Sequence, residues 1–154
     1  MNDSLSMAAF VDTNVLVYAH DKDQGTKHER AGEIVAVLWE RRTGLISTQV
    51  LQEFYETVTR KIPKPISPSR ARSVIRAYGQ WKLETNGLDT ILQASELQER
   101  HRLSFWDAMI VAAAIRSGAE VLLSEDLNDG QLIEGVRIRN PFGPTWSVGA
   151  AESA

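Results

Sequence analysis

Phe10-Val11-Asp12-Thr13-Asn14-Val15-Leu16 is the stretch from which the rest of the chain can be read. Phe10 and Val11 close an apolar run that begins at Met7, and Asp12-Thr13-Asn14 breaks it. A short apolar run cut by turn-forming residues has the pattern of a buried strand ending in a turn. Val15 to Ala19 then predicts a turn of helix. Lys27 to Arg42 places Ala31, Ile34, Val35 and Leu38 at the spacing of an amphipathic helix, with Gly44 as its stop. Leu45-Ile46-Ser47 reads as a second strand. Thr48 reads as the cap of a helix whose apolar stripe is Leu51, Phe54, Tyr55 and Val58. Ile62 to Pro68 is a loop, because Pro63, Pro65 and Pro68 forbid continuous helix. The next helix carries Ala71, Val74, Ile75, Tyr78 and Trp81 on one face, read as core, with Arg72 and Arg76 opposite. Leu83 to Leu88 is a third strand. Asp89 caps a helix to about His101, and Ser104 caps one ending near Gly118. From Ala108 to Ile115 that last helix is apolar on all sides, hence buried. Val121-Leu122-Leu123 is a strand, Asp126 to Gly130 a turn, and Val136 to Arg139 the final strand. Strands alternating with helices predict an α/β layered fold on a central, mainly parallel sheet, as one domain over residues 1–154. Residues 147–154 read as a flexible tail.

Composition narrows the chemistry. A chain of 154 residues can bury about 70% of the surface it exposes when unfolded, enough for a core without staples. The chain is 43% hydrophobic and 24% charged, which excludes disorder and coiled coil. Cysteine is absent, which removes disulfides, thiolate catalysis and thiolate metal sites, and suits the reducing cytoplasm. His20, His28 and His101 have no zinc-protease spacing. The opening MNDSLSM has neither the basic nor the apolar part of a signal peptide. No apolar run approaches the roughly 20 residues of a membrane span. The net charge of −3 argues against general affinity for nucleic acid. Yet Thr57 to Leu83 holds seven cations and no acid, so an acidic body carries one basic segment that can meet a polyanion locally.

Four acids stand out, and each also has a structural explanation. Asp12 follows the first strand and could cap the helix after it. Asp107 lies three residues beyond Ser104, a capping-box position. Glu53 sits off the apolar stripe of its helix, where most glutamates are merely solvated. Asp126 follows the strand Val121–Leu123, with Asp129 in the turn beyond. Taken jointly they say more. In a parallel sheet Asp12 and Asp126 fall on the same edge, and helices between parallel strands begin at that edge. Converging carboxylates repel one another, and a hard divalent cation resolves the repulsion. With no cysteine and no histidine cluster, Mg²⁺ or Mn²⁺ is the consistent ion.

These residues resemble those of the PIN-domain nucleases, and among them the VapC-type toxins of toxin–antitoxin pairs. The likeness rests on Phe10-Val11-Asp12-Thr13-Asn14-Val15-Leu16, Ile46 to Phe54, Phe105-Trp106-Asp107-Ala108-Met109-Ile110, Leu122 to Leu127 and Asn140-Pro141-Phe142, in that order. The resemblance implies a PIN-like three-layer α/β/α fold and a metal-dependent endoribonuclease that leaves a 5′-phosphate and a 3′-hydroxyl. It implies that Asp12, Glu53 and Asp107 are the central acids and Asp126 the fourth, catalytic and metal-binding alike. Asn14 and Ser124 would orient them, and Asp129 matches a further acid carried by some members. It also implies an RNA substrate, a cognate antitoxin, a homodimer and Mg²⁺ or Mn²⁺ as cofactor. The usual start of such chains makes residues 1–6 an extension and Met7 a second candidate initiator.

Other readings compete. Haloacid-dehalogenase-type phosphatases also open on a strand followed by Asp, but need a second Asp two residues on, where this chain has Asn14. No Gly-Lys-Ser/Thr motif marks a nucleoside triphosphatase. An RNA-maturation nuclease and a non-catalytic binding module, whose acids only cap helices, stay open. Arg72 and Arg76 are the candidate RNA contacts, on the solvent face of their helix.

Overall fold

The structure is a computed structural model and describes residues 7–144 and Trp146. The proposed extension 1–6 and tail 147–154 lie outside the described residues. The strands are β1 (Ala9–Val11), β2 (Gly44–Ser47), β3 (Lys82–Glu84), β4 (Val121–Leu123), β5 (Leu132–Ile133) and β6 (Val136–Arg139). The helices are α1 (Thr13–His20), α2 (Thr26–Arg41), α3 (Thr48–Arg60), α4 (Pro68–Tyr78), α5 (Leu88–His101) and α6 (Phe105–Arg116). The sheet order is β3-β2-β1-β4-β6-β5, parallel throughout except for β5, which pairs antiparallel with β6. With helices layered on the sheet, this is the expected α/β/α arrangement.

Every residue of β1, β2 and β4 is buried, as strands covered on both faces require. The predicted stripe of α2 (Ala31, Ile34, Val35 and Leu38) is buried, as are Leu51, Phe54 and Val58 of α3. Ala108 to Ala114 of α6 are buried on every side. Tyr78 and Trp81 belong to the core, as expected.

Some boundaries differ from the sequence reading. Ser47, not Thr48, caps α3, its hydroxyl accepting the N–H of Val50. Gly87, not Asp89, precedes α5, and Asp89 instead lies in the first turn. Trp81 follows the end of α4 rather than extending its face. Gly44 does not stop α2, because Arg42 takes the left-handed conformation there, with φ 57°. Gly44 serves a close approach instead: a Cβ on it would stand 2.6 Å from Cε3 of Trp81. Strand β5 was not anticipated, since two residues leave no period to read.

The topology has a switch point. From β1 the chain builds outward to β2 and β3 on one side, then returns to place β4 and β6 on the other. Ligands of open α/β sheets bind outside the carboxyl ends of the strands at such a point. Asp12 immediately follows β1, and Ser124 immediately follows its neighbour β4.

Candidate active site

A cavity of about 460 Å³ opens at the carboxyl edge beside the switch point, and Asp12, Glu53, Asp107 and Asp126 all line it. Four acids from four separate segments are thus brought together. Asp12 is anchored at the end of β1 and is only 7% exposed. Its Oδ1 accepts the N–H of Thr13 at 2.7 Å, capping α1, and its Oδ2 accepts the hydroxyl of Ser124 at 2.8 Å. The capping role foreseen for Asp12 is therefore real and coexists with its place in the cavity.

Ser124 also accepts the N–H of Asp126 at 3.3 Å, so one buried hydroxyl ties the two strand-end acids. Asn14 donates to Oδ2 of Asp126 from the first turn of α1. Glu53 receives the Thr13 hydroxyl at 2.6 Å and the Gln49 amide at 3.3 Å. Asp107 enters from the first turn of α6, where its N–H donates to the Ser104 hydroxyl at 3.1 Å. Asn14 and Ser124 each hydrogen-bond candidate acids.

The electrostatics follow from burial and crowding. Burial pushes the Asp12 carboxyl up to about 6, against the lowering pull of its hydrogen bonds from Ser124 and Thr13, while Asp126 and Glu53 raise it further. Asp126 is also raised, by burial first and then by the nearby charges of Glu125 and Asp107. Carboxylates whose charged forms oppose one another match a divalent cation with oxygen ligands. No histidine or cysteine lines the cavity. Among the described residues, no three acidic or histidine side chains already stand close enough to hold an ion. The fit lies in the donor set. Asp12 is fixed by its two hydrogen bonds, and Glu53 and Asp126, both exposed at the cavity, are held by Thr13 with Gln49 and by Asn14.

Three anticipated residues lie elsewhere. Asp129 is exposed and accepts the N–H of Asn140 at 2.9 Å, closing the turn before β5 rather than joining the other acids. Arg72 and Arg76 are exposed on α4 and do not line the cavity. Others were missed. Thr13, Gln49, Lys61 and Trp106 share the cavity wall. Thr13 and Trp106 lie within the short motifs around Asp12 and Asp107, so proximity to those acids was the available signal. Glu125, adjacent to Asp126, is not in the wall. Tyr18 donates to it at 2.6 Å, and Lys27 pairs with it.

Comparison with known proteins bears on the fold and the family. No curated protein matches the sequence. Among solved structures, the toxin VapC20 of Mycobacterium tuberculosis, described as cleaving the sarcin–ricin loop, superposes with a TM-score of 0.56 at 24% identity, over 74% of this chain and 86% of that one. A toxin–antitoxin complex from Klebsiella pneumoniae gives 0.60 at 21% identity, over 83% and 94%. VapBC2 from Rickettsia felis, bound to a DNA fragment from its promoter, gives 0.60 at 19%, over 86% and 97%. These likenesses establish a shared fold. The family model described as PIN domain matches residues 9–128, spanning β1 to the turn after Asp126, and the chain belongs to the PIN domain family.

Proposed function

We propose that the protein is a metal-dependent endoribonuclease, the toxin of a toxin–antitoxin pair, acting as a single-domain unit in the cytoplasm. The observation that carries this reading is the convergence of Asp12, Glu53, Asp107 and Asp126 on one cavity at the switch point of the sheet. Those four residues would hold Mg²⁺ or Mn²⁺, which when bound supplies positive charge to the scissile phosphate and makes water easier to deprotonate.

The chain's own residues do the rest. Ser124 and the Thr13 N–H hold Asp12 in one rotamer. Asn14 aims Asp126, and Thr13 with Gln49 aims Glu53. Glu53, exposed at the cavity, orients the attacking water and accepts its proton. The water oxygen bonds to phosphorus in line with the departing 3′ oxygen. The P–O3′ bond breaks, the 3′ oxygen takes a proton from solvent water to become a hydroxyl, Glu53 releases its proton to solvent, and the phosphate stays on the 5′ side. Arg72 and Arg76 engage RNA phosphates outside the cavity. Partners of the chain are a cognate antitoxin and a second copy of itself. Support for the antitoxin comes from the toxin–antitoxin assemblies whose fold it shares. Leu88, Ile91 and Leu92, exposed together on α5, offer apolar surface for such contacts. No helix among the described residues is long and apolar enough to cross a membrane.

The test is thermal unfolding with and without millimolar Mg²⁺ or Mn²⁺, followed by RNA cleavage, for wild type and Asp12→Asn. The wild-type midpoint is expected to rise with the ion and the variant's to stay put. Cleavage should fall by about a thousandfold or more in Asp12→Asn, with the fold retained. Equal cleavage by the two proteins would overturn the site assignment.

A further inference from the structure

Trp106 is 63% exposed, although it belongs to a helix whose next residues are buried. A lone exposed tryptophan needs no explanation, but the position of this one does. It stands in the wall of the acid cavity, immediately before Asp107. Its ring meets the edge of Phe105 at 5.2 Å and 75°, leaving the indole braced on one side. Its carbonyl accepts the Gln49 amide at 3.4 Å, and the same nitrogen donates to Glu53 at 3.3 Å. Gln49 cannot be turned over, because its oxygen would then face two acceptors. One buried amide therefore ties the backbone of Trp106 to a candidate catalytic acid. Gln49 is only 5% exposed, and its buried Oε1 has no partner among the described residues. Lys61 adds a positive charge to the same wall.

We propose that Trp106 is a stacking platform for the nucleobase next to the reacting phosphate of single-stranded RNA, with Lys61 engaging a neighbouring phosphate. The proposal rests on the nuclease reading and deepens it. A phosphate held at the acids brings its own flanking bases within reach of the residue adjoining Asp107. Every base presents a π face, so such a platform strengthens binding while tolerating many sequences. Trp106 is thus a substrate-binding residue, and removing it should act on KM before kcat.

The experiment measures steady-state cleavage of a panel of short single-stranded RNAs by the full chain with Mn²⁺, for wild type, Trp106→Phe and Trp106→Ala. Each protein is first checked by thermal melting, which an exposed side chain should leave nearly unchanged. Trp106→Ala is expected to raise KM about tenfold with a smaller change in kcat, and Trp106→Phe to recover most of the loss. An unchanged KM in Trp106→Ala overturns the platform and hands the ring to a protein partner. A fall in kcat alone also overturns it, since that would mean only a disturbed Asp107. Failure of wild type to cleave any RNA in the panel overturns the nuclease reading itself, and the platform falls with it.

Discussion

Two cavities lie at opposite edges of the same sheet, and their linings are opposites. The carboxyl edge, about 460 Å³, gathers acids. The amino edge, ahead of β1, β2 and β3, holds a larger space of about 630 Å³ lined by Trp39, Trp81, Arg42 and Lys82 among others. The difference follows from helix direction. Helices begin at the carboxyl edge, where the partial positive charge of their first turns favours Asp12 and Asp107. Helices end at the amino edge, where cations are favoured. Lys82 donates to the carbonyl of Ser117, the cap of α6, at 2.7 Å, and Arg42 caps α2. Size does not mark the reactive site. What marks it is charge held at a cost, as at Asp12, whereas the amino-edge cation Lys82 is satisfied by the Ser117 carbonyl.

That contrast can be broken most directly through pH. Folded Asp12 keeps its proton up to about 6, while the unfolded chain releases it near 3.8. Between those values the folded state binds more protons, so metal-free stability should fall as pH rises through the window, by about 3 kcal/mol. Urea unfolding near pH 4 and pH 7 without divalent ions should show this loss in wild type and not in Asp12→Asn. The same pH dependence in both proteins would remove Asp12 as the strained group. At neutral pH the divalent ion should restore the wild-type stability.

The amino edge sharpens the comparison from the other side. Gly44→Ala forces a methyl group into the Trp81 ring, which is packed in the core. A destabilisation of about 2 kcal/mol is expected, with KM and kcat of the folded fraction unchanged. A change in cleavage larger than the loss of folded protein would mean that the two edges are coupled. The smallest effect belongs to the surface beyond both cavities. Reversing Arg72 and Arg76 together to Glu should weaken RNA binding several-fold and lower its salt slope by roughly two. An unaltered slope would make them a solvated helix face.

Much of this was legible because it is local. Phe10-Val11 followed by Asp12 marks a strand end without reference to any other part of the chain. The helix of Ala31 to Leu38 declares its face by spacing alone, and that of Ala108 to Ile115 declares its burial by being apolar all round. The acids were legible only together, since each has a capping or solvated alternative, and parallel strands were needed to put them on one edge. Asp129 was legible as a turn residue, and its hydrogen bond from the N–H of Asn140 fits that reading, whereas its match to a further family acid is not visible in the cavity lining. Gly44 misled because a glycine after a helix signals a cap, and nothing nearby in sequence announces the indole of Trp81. Trp106 stood in the motif around Asp107, which says nothing of whether its ring is buried or exposed. Its exposure depends on where α6 starts relative to the sheet, which is a tertiary fact.

The hydrogen bonds that hold the site together reach far along the chain. Thr13 answers to Glu53 across 40 residues, and Ser124 to Asp12 and Asn14 to Asp126 across 112. A chain still being synthesised therefore possesses strand, cap and half of the acids long before it possesses a site. Until translation has passed Asp126, the growing chain holds no assembled set of the four carboxylates, so under the proposed nuclease reading the site is completed late in synthesis.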